Sequence, residues 1–182
     1  MQRILEYDSP LGSMLLAADE TGVTGVWFEG QKYFARTLEP GASDTVSAQS
    51  ASPALDAARR WLDVYFSGRE PDFCVPLHLT GTVFQQSVWE ILCAIPYGQT
   101  ITYGEIARRL AAQRGGARIS AQAVGGAVGR NPVSIIVPCH RVVGADGSLT
   151  GYAGGVDKKE KLLALEKADI TRFFIPHTEP AL

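Results

Sequence analysis

Cysteine, histidine and methionine are all scarce in this chain, with three, three and two copies among 182 residues. Cys74, Cys93 and Cys139 are odd in number, widely separated and form no Cys-x-x-Cys pair. That pattern indicates neither a disulfide framework nor a sequence-evident zinc site. His78, His140 and His177 are too dispersed to suggest a metal cluster, and the Gly-rich consensus of phosphate-binding loops is missing. No apolar run approaches the ~20 residues that a membrane-spanning helix requires. The opening Met1-Gln2-Arg3-Ile4-Leu5-Glu6 lacks the apolar stretch and cleavage site of a signal peptide. A cytoplasmic protein with free thiols, no membrane attachment, no metal and no cofactor is expected.

An excess of one charge is absent as well. Seventeen Lys plus Arg against 19 Asp plus Glu give a net −2, which for the whole chain argues against a protein that coats nucleic acid. Resolved along the chain, the charge divides. Residues 1–79 carry 6 basic and 11 acidic side chains, residues 80–182 carry 11 and 8, and between 100 and 145 six arginines are opposed by Glu105 alone. A polyanionic partner is expected to meet the second half.

What is present reads as two units. Arg3–Tyr7, Ser13–Ala18 and Val23–Phe28 form an antiparallel meander with turns at Asp8-Ser9-Pro10-Leu11-Gly12 and Asp19-Glu20-Thr21-Gly22. Residues 40–53 hold few large apolar groups and are expected to be a mobile loop. Leu55, Leu62 and Phe66 then recur at helical spacing with Ala58 and Trp61 nearby, predicting a helix over Ala54–Phe66 that Gly68 stops. Leu79-Thr80-Gly81-Thr82 is the expected boundary between a supporting domain, 1–79, and a second domain, 80–170, and 171–182 is expected to be a flexible tail. Trp27, Trp61 and Trp89 read as core anchors, and Cys74 and Cys93 as structural.

In the second unit, Thr82 can cap a helix through Phe84–Cys93, with Phe84, Val88, Ile91 and Leu92 on one face and Pro96-Tyr97-Gly98 beyond its end. Thr102 begins a helix over Tyr103–Ala112, and Ser120 begins another over Ala121–Gly129. Two short helices joined by a Gly-containing turn in an Arg-rich region fit a helix-turn-helix, and equally a helical hairpin in an enzyme core. Ala121–Gly129 contains almost nothing large, and its three glycines each cost roughly 1 kcal/mol against Ala in a helix interior. Something is therefore expected to approach it closely. With so few groups able to hydrogen-bond base edges, sequence-specific readout is not expected.

The chemistry concentrates in Pro138-Cys139-His140-Arg141-Val142. Taken alone, a cysteine is more often an inert buried residue than a nucleophile. Here His140 and Arg141 are nearby groups that could lower the thiol pKa, although adjacent side chains on extended backbone point apart, so a turn or a bridging water is required. His140 needs an acceptor to orient it, for which Glu166, on a helix expected over Lys158–Ala168, is the candidate.

That run, preceded by Ala123-Val124-Gly125-Gly126-Ala127 and Arg130-Asn131-Pro132 and followed by Gly151-Tyr152-Ala153-Gly154-Gly155, closely resembles the methylated-DNA–protein-cysteine methyltransferases, or O6-alkylguanine-DNA alkyltransferases. The resemblance is strong over about residues 80–170 and holds in outline before them. It implies an α+β chain with an N-terminal ribonuclease-H-like α/β domain and a C-terminal winged-helix/helix-turn-helix domain. It also implies a monomeric repair protein whose partner is double-stranded DNA containing O6-alkylguanine. The protein would bind through the minor groove, flip the damaged base and move its alkyl group onto a cysteine, with O4 of thymine as an open extension. By this resemblance Cys139 falls on the acceptor, His140 and Glu166 on the partners that activate it with a water, and Asn131 on the residue organising the active-site loop. Tyr103 matches the tyrosine that assists flipping and donates a proton toward the leaving guanine. Gln122, Val142, Tyr152, Ala153 and Gly154 match substrate-binding positions, and Thr102, Ala121, Ala123, Gly125, Gly126 and Arg130 match DNA-contacting ones.

The chemistry of these residue types agrees with the implied roles. Displacement at an alkyl carbon needs a thiolate and a donor for the leaving base, and both are supplied without metal. The thioether product offers no carbonyl for water to attack, so each molecule should react once. The base must leave the stack to reach the sulfur. One position departs from the family pattern: Gln122 stands where an intercalating arginine is usual, which implies weaker DNA binding. Arg114 or Arg118, in a loop longer than usual, could supply the missing cation, or the loop is simply a solvated basic segment. Three competing classes remain open. A non-enzymatic alkyltransferase-like lesion binder would lack the acceptor cysteine. A helix-turn-helix regulator with a cysteine sensor would need base-reading side chains. A cysteine hydrolase would turn over.

Overall fold

A computed structural model defines residues 1–42 and 52–176. Three antiparallel strands in the order β1 (Arg3–Ser9), β2 (Gly12–Ala18) and β3 (Val23–Phe28) open the chain. The β1–β2 turn is tight because Ser9 Oγ both donates to the Gly12 carbonyl, at 2.6 Å, and accepts from the Leu11 N–H, at 3.2 Å. Alternation along β2 and β3 sends Met14, Leu16, Ala18, Val26 and Phe28 to the main core, and Ala17 and Trp27 to a second cluster with Ile4 on the opposite face. Against the first face packs α1 (Pro53–Phe66), through Leu55, Ala58, Leu62 and Tyr65. This helix starts one residue before the expected Ala54, because Ser52 caps it and Pro53 occupies the first turn, where its missing N–H costs nothing. Gly68 follows its end at φ +80°. The remainder of the expected 40–53 loop, residues 43–51, lies outside the described residues.

The outer edge of β3 is closed by segments from further along the chain. Val23 pairs in parallel with Leu77, and Val26 with Val133. The Val26 N–H donates to the Pro132 carbonyl and the Ser134 N–H to the Val26 carbonyl, both at 2.9 Å. Buried backbone groups need such partners, and here a loop of the second half supplies them.

In the second half α2 (Val83–Cys93) opens with a capping box, Thr82 Oγ1 accepting from the Gln85 N–H and Gln85 Oε1 from the Thr82 N–H. A two-residue strand β4 (Ile101–Thr102) leads into α3 (Tyr103–Gln113), capped by Thr102, and Ser120 caps α4 (Ala121–Gly129). The three helices pack on one another, with Trp89 Nε1 donating to the Ala127 carbonyl at 2.9 Å in the buried contact. β4 pairs in parallel with β5 (Val142–Val143), and α5 (Val156–Leu165) closes the fold. It is shorter than the expected Lys158–Ala168, so that Glu166 caps its end and Lys167 turns away at φ +58°. Residues 171–176, grouped by sequence with a flexible tail, instead dock. Phe173 and Ile175 pack beside Val143, Leu149 and Leu163, and Phe174 bridges to Ser148. Residues 177–182 lie outside the described residues.

One apolar cluster runs from β2 and β3 through α1, α2, α3 and α4 to Cys139 and Leu162. Trp27 and Trp89 are buried in the two clusters, while Trp61 is half-buried and stacks on Tyr65 with ring centroids 5.4 Å apart. The end of α5 reaches the centre because Gly98, at φ +72°, has no side chain: a Cβ there would lie 2.8 Å from the Glu166 carbonyl oxygen. Gly98→Ala is expected to lower the unfolding midpoint in urea by the equivalent of about 1–3 kcal/mol, combining backbone strain with this clash. Gly30→Ala, where φ is +73° but nothing lies within 4 Å, should lose less. Equal losses would show that the contact with Glu166 costs nothing.

Candidate active site

The loop from Asn131 to Pro138 is built around one amide. Asn131 Nδ2 donates to the carbonyls of Val133 at 3.2 Å and Val137 at 2.8 Å, and its Oδ1 accepts from the Val133 N–H at 3.0 Å. Between them Ile135 is held at φ +70°, an outlier for a β-branched residue, and is completely buried. The pairing to β3 described above fixes the same loop from outside. At its end the chain turns through Cys139–Arg141 as a single tight helical turn. The turn separates the three side chains that an extended strand would have set on alternating faces.

His140 is fully buried, and its Nε2 lies 2.6 Å from Glu166 Oε1. That oxygen belongs to a carboxylate with no solvent exposure, which also accepts from Tyr65 Oη at 2.8 Å, from Arg141 Nε at 2.9 Å and Nη2 at 3.0 Å, and from the Gly98 N–H at 3.0 Å. Burial alone would raise the Glu166 pKa, but the bonds and charges of His140 and Arg141 outweigh it and hold the carboxyl at about 2. An ionised Glu166 accepts only, so Nε2 carries the imidazole proton and Nδ1 is the basic nitrogen. Nδ1 is buried and, among the described residues, has no hydrogen-bond partner. Burial, opposed by Glu166 and reinforced by Arg141 and Lys159, keeps the His140 pKa below its ordinary value, so the ring rests neutral.

Cys139 is 5% exposed. Contrary to the expectation of a lowered pKa, burial pushes its thiol up, although the Asn131 amide and the charge of Lys159 pull the other way. Arg141, offered by sequence as the neighbouring cation, faces Glu166 and donates through Nη1 to the Ile95 carbonyl at 2.6 Å. Lys159 is the cation that sequence reasoning missed. It is completely buried, donates from Nζ to the Thr150 carbonyl at 2.7 Å, and is lowered by burial to about 8 against the opposing influence of Cys139. The available signal was a lysine on the apolar face of a helix, at spacing three from both Val156 and Leu162. Tyr103 Oη donates to the same Thr150 carbonyl at 3.0 Å, and burial followed by the influence of Cys139 raises its pKa to about 12. Cys139, His140, Glu166, Asn131 and Tyr103 thus converge on one region, joined by Lys159 and Tyr65.

Beside this region opens a cleft of about 220 Å³, lined by Lys32 and Tyr33, by Gly125, Gly126, Gly129 and Arg130, and by Gly151, Tyr152 and Ala153. Tyr152 is buried with its hydroxyl toward Ser134, and the Lys32 N–H donates to the Ala153 carbonyl at 3.1 Å. Gly151 has room only for hydrogen, because a Cβ would lie 2.9 Å from Tyr103 Oη. Among the described residues only the Tyr103 ring comes near Gly125, where a Cβ would stand 3.8 Å from it, an ordinary contact. The small residues of α4 therefore leave the cleft floor open. Val142 is sealed in β5, Gly154 sits against Phe28 and Tyr152, and neither lines the cleft. Ala121, Gln122 and Ala123 are exposed on the first turn of α4, and Thr102 is occupied in capping α3. Arg114 lies 5.4 Å over the Phe84 ring and donates to Ser87 at 3.5 Å, so it is engaged by α2, whereas Arg118 is exposed just ahead of the α4 cap. Among the described residues no group of three or more metal-ligating side chains occurs, and no helix is long and apolar enough to cross a membrane.

The profile described as 6-O-methylguanine DNA methyltransferase, ribonuclease-like domain, matches residues 6–79, and the corresponding DNA binding domain matches residues 83–168. The chain belongs to this family. Among relatives, a protein of Mycobacterium bovis named methylated-DNA–protein-cysteine methyltransferase is 45% identical over 171 residues, 91% of this chain and 95% of its own. One of the same name from Methanosarcina acetivorans is 45% identical over 160 residues, 88% of this chain and 95% of its own. The crystal structure of Mycobacterium tuberculosis O6-methylguanine methyltransferase superposes with a TM-score of 0.72 at 42% identity, covering 97% of this chain and 96% of that one. A structure of the Mycobacterium tuberculosis protein in complex with DNA gives 0.72 at 42% identity, covering 94% of each chain.

For this member of the family, Lys159 should set the reactivity of Cys139. Lys159→Met removes the buried cation and is expected to slow alkylation of Cys139 by iodoacetamide about three- to tenfold near neutral pH, with the pH of half-maximal reactivity moving up. Lys158→Met should leave the profile in place. A Lys159→Met profile that overlays the wild type would remove this residue from the thiol's electrostatics.

Proposed function

We propose that this chain repairs DNA by direct reversal, moving a methyl or larger alkyl group from O6 of guanine in duplex DNA to Cys139 Sγ, once per molecule. The observation that carries the reading is the state of His140. Its Nε2 proton is fixed on an ionised Glu166, and its Nδ1 is left buried and basic, without a partner among the described residues, one residue from a protonated thiol.

The thiol proton passes to Nδ1 through a water, and the thiolate attacks the alkyl carbon from the side opposite O6. As the carbon–sulfur bond forms, the carbon–oxygen bond breaks and its electron pair stays on the base. Tyr103 donates a proton to that base, and the charge of Lys159 favours the thiolate meanwhile. The product is a thioether with no acyl carbon, so no hydrolytic return exists. Cys139 is buried, which requires the guanine to leave the helix and enter the cleft. The open α4 face supports approach through the minor groove, with Thr102, Ala121, Ala123, Gly125, Gly126 and Arg130 against the backbone, Gln122 filling the gap, and Tyr152 and Ala153 beside the base. O4-methylthymine carries the same kind of alkyl–oxygen bond and is a second substrate to test.

Intact-protein mass measurement after mixing with excess duplex containing O6-methylguanine should show one added methyl, located on Cys139 and lost in Cys139→Ala. Repeated turnover, or transfer to Cys74 or Cys93, would overturn the mechanism. Gln122→Arg adds a cation to the exposed first turn of α4 and should tighten duplex binding about three- to tenfold at low salt, with a steeper salt dependence. Unchanged anisotropy titrations would mean that this residue does not enter the DNA.

A further inference from the structure

Tyr65 lies on α1, in the half of the chain that supplies none of the residues assigned to the reaction above. It is completely buried and 101 positions from Glu166, yet its Oη donates to Glu166 Oε1 at 2.8 Å and stands 3.4 Å from His140 Nε2. The same Oε1 receives the His140 Nε2 proton at 2.6 Å. The Tyr65 ring cannot drift, being stacked on Trp61 at 5.4 Å and set edge-on against Phe66, Tyr97 and His140 at 5.4, 6.1 and 6.3 Å. A phenol buried beside an anion keeps its proton, and burial followed by Glu166 pushes its pKa far above the ordinary value. It is thus a permanent donor. With Arg141 and the Gly98 N–H also bonded to the carboxylate, Oε1 cannot rotate away from His140 without breaking bonds to three different segments of the chain.

We propose that Tyr65 is a positioning residue contributed by the N-terminal half: its hydroxyl anchors Glu166 Oε1 and thereby holds His140 as the Nε2-protonated tautomer with Nδ1 available to the thiol. This rests on the reading of Cys139 as the alkyl acceptor. A packing role alone would need only the ring, and phenylalanine would serve. The hydroxyl instead enters the hydrogen-bond network of the base. The ionisable groups around His140 are Glu166, Arg141, Lys159, Tyr65, Tyr152 and Cys139, with Tyr97 beyond Tyr65. Of the three tyrosines, each of which can lose its hydroxyl while keeping its shape, Tyr65 is the one whose hydroxyl is bonded to Glu166 Oε1.

The test is Tyr65→Phe in the full chain. Single-turnover methyl transfer from an O6-methylguanine duplex should slow about three- to thirtyfold near neutral pH, with duplex binding unchanged. Without the anchor, Oε1 can leave Nε2, and the imidazolium loses the carboxylate that stabilises it. The acid limb of the rate profile should therefore move down by about half to one pH unit. Nitrogen NMR of His140 should change from one tautomer to a mixture. Trp61→Leu loosens the ring but keeps the hydroxyl, and should cost stability without moving the acid limb. A folded Tyr65→Phe protein with the wild-type rate, pH profile and tautomer overturns the proposal. If the wild type itself transfers no methyl, the repair reading fails instead. In that case the tautomer, together with the pH profile of Cys139 alkylation by iodoacetamide, decides the role of Tyr65, and no change in either rejects it.

Discussion

A carboxylate without solvent contact is tolerated in a protein interior only when its charge is matched and its lone pairs are filled, and Glu166 meets both conditions with Arg141, His140, Tyr65 and the Gly98 N–H. The four donors arrive from three places: His140 and Arg141 from the tight turn after the 131–138 loop, Gly98 from the segment behind α2, and Tyr65 from a helix of the N-terminal sheet layer. The anion therefore dictates how these pieces meet. Removing one donor would not simply loosen the site, since it would leave a buried charge short of a partner. Gly98 must be glycine for the same reason, because α5 has to end against it for the carboxylate to arrive.

The N-terminal half enters the site by three routes. β3 lends its free edge to residues 132–134, so that the strained backbone at Ile135 is braced by a sheet rather than left to a loop. α1 lends Tyr65. Lys32 and Tyr33 add a wall to the cleft. Residues 1–79 carry the acidic excess of the chain, yet the side chains they bring to the cleft are a lysine and a tyrosine ring with Lys32, Arg36 and Arg130 all within 5.5 Å of its centroid. The net charge of the half says little about the surface it presents beside α4.

Much of this was legible along the chain, and the part that was not has a common cause. Period-two runs between turn residues gave the three strands, and Thr82, Thr102 and Ser120 marked helix starts because a cap is a local interaction. Glu166 was read as the partner of His140 from a long motif, and the hydrogen bond is present. Lys159 and Tyr65 were passed over because each sits on the apolar face of a helix, where the default reading is packing. Their polar atoms acquire meaning only from partners on distant segments. Arg141 misled for the complementary reason: adjacency in sequence suggested an effect on the thiol, but a three-residue turn sends the guanidinium to Glu166. The thiol's own pKa depended on burial, which no local pattern reports.

The pairing of Val26 with Val133 joins residues more than a hundred positions apart, and that separation has a bearing on assembly. During synthesis the first three strands emerge with the outer edge of β3 open; residues 76–78 reach it at Val23 once α1 is made, and the segment that closes it at Val26 is made only after α2, α3 and α4 as well. Loop-closure entropy delays such a contact until most of the chain can collapse around it. Cys139 follows that segment by five residues. It stays on an unshaped loop, without Glu166 behind His140 or Lys159 beside it, until translation has passed residue 166. Topology thus makes the surroundings of this thiol a late product of folding.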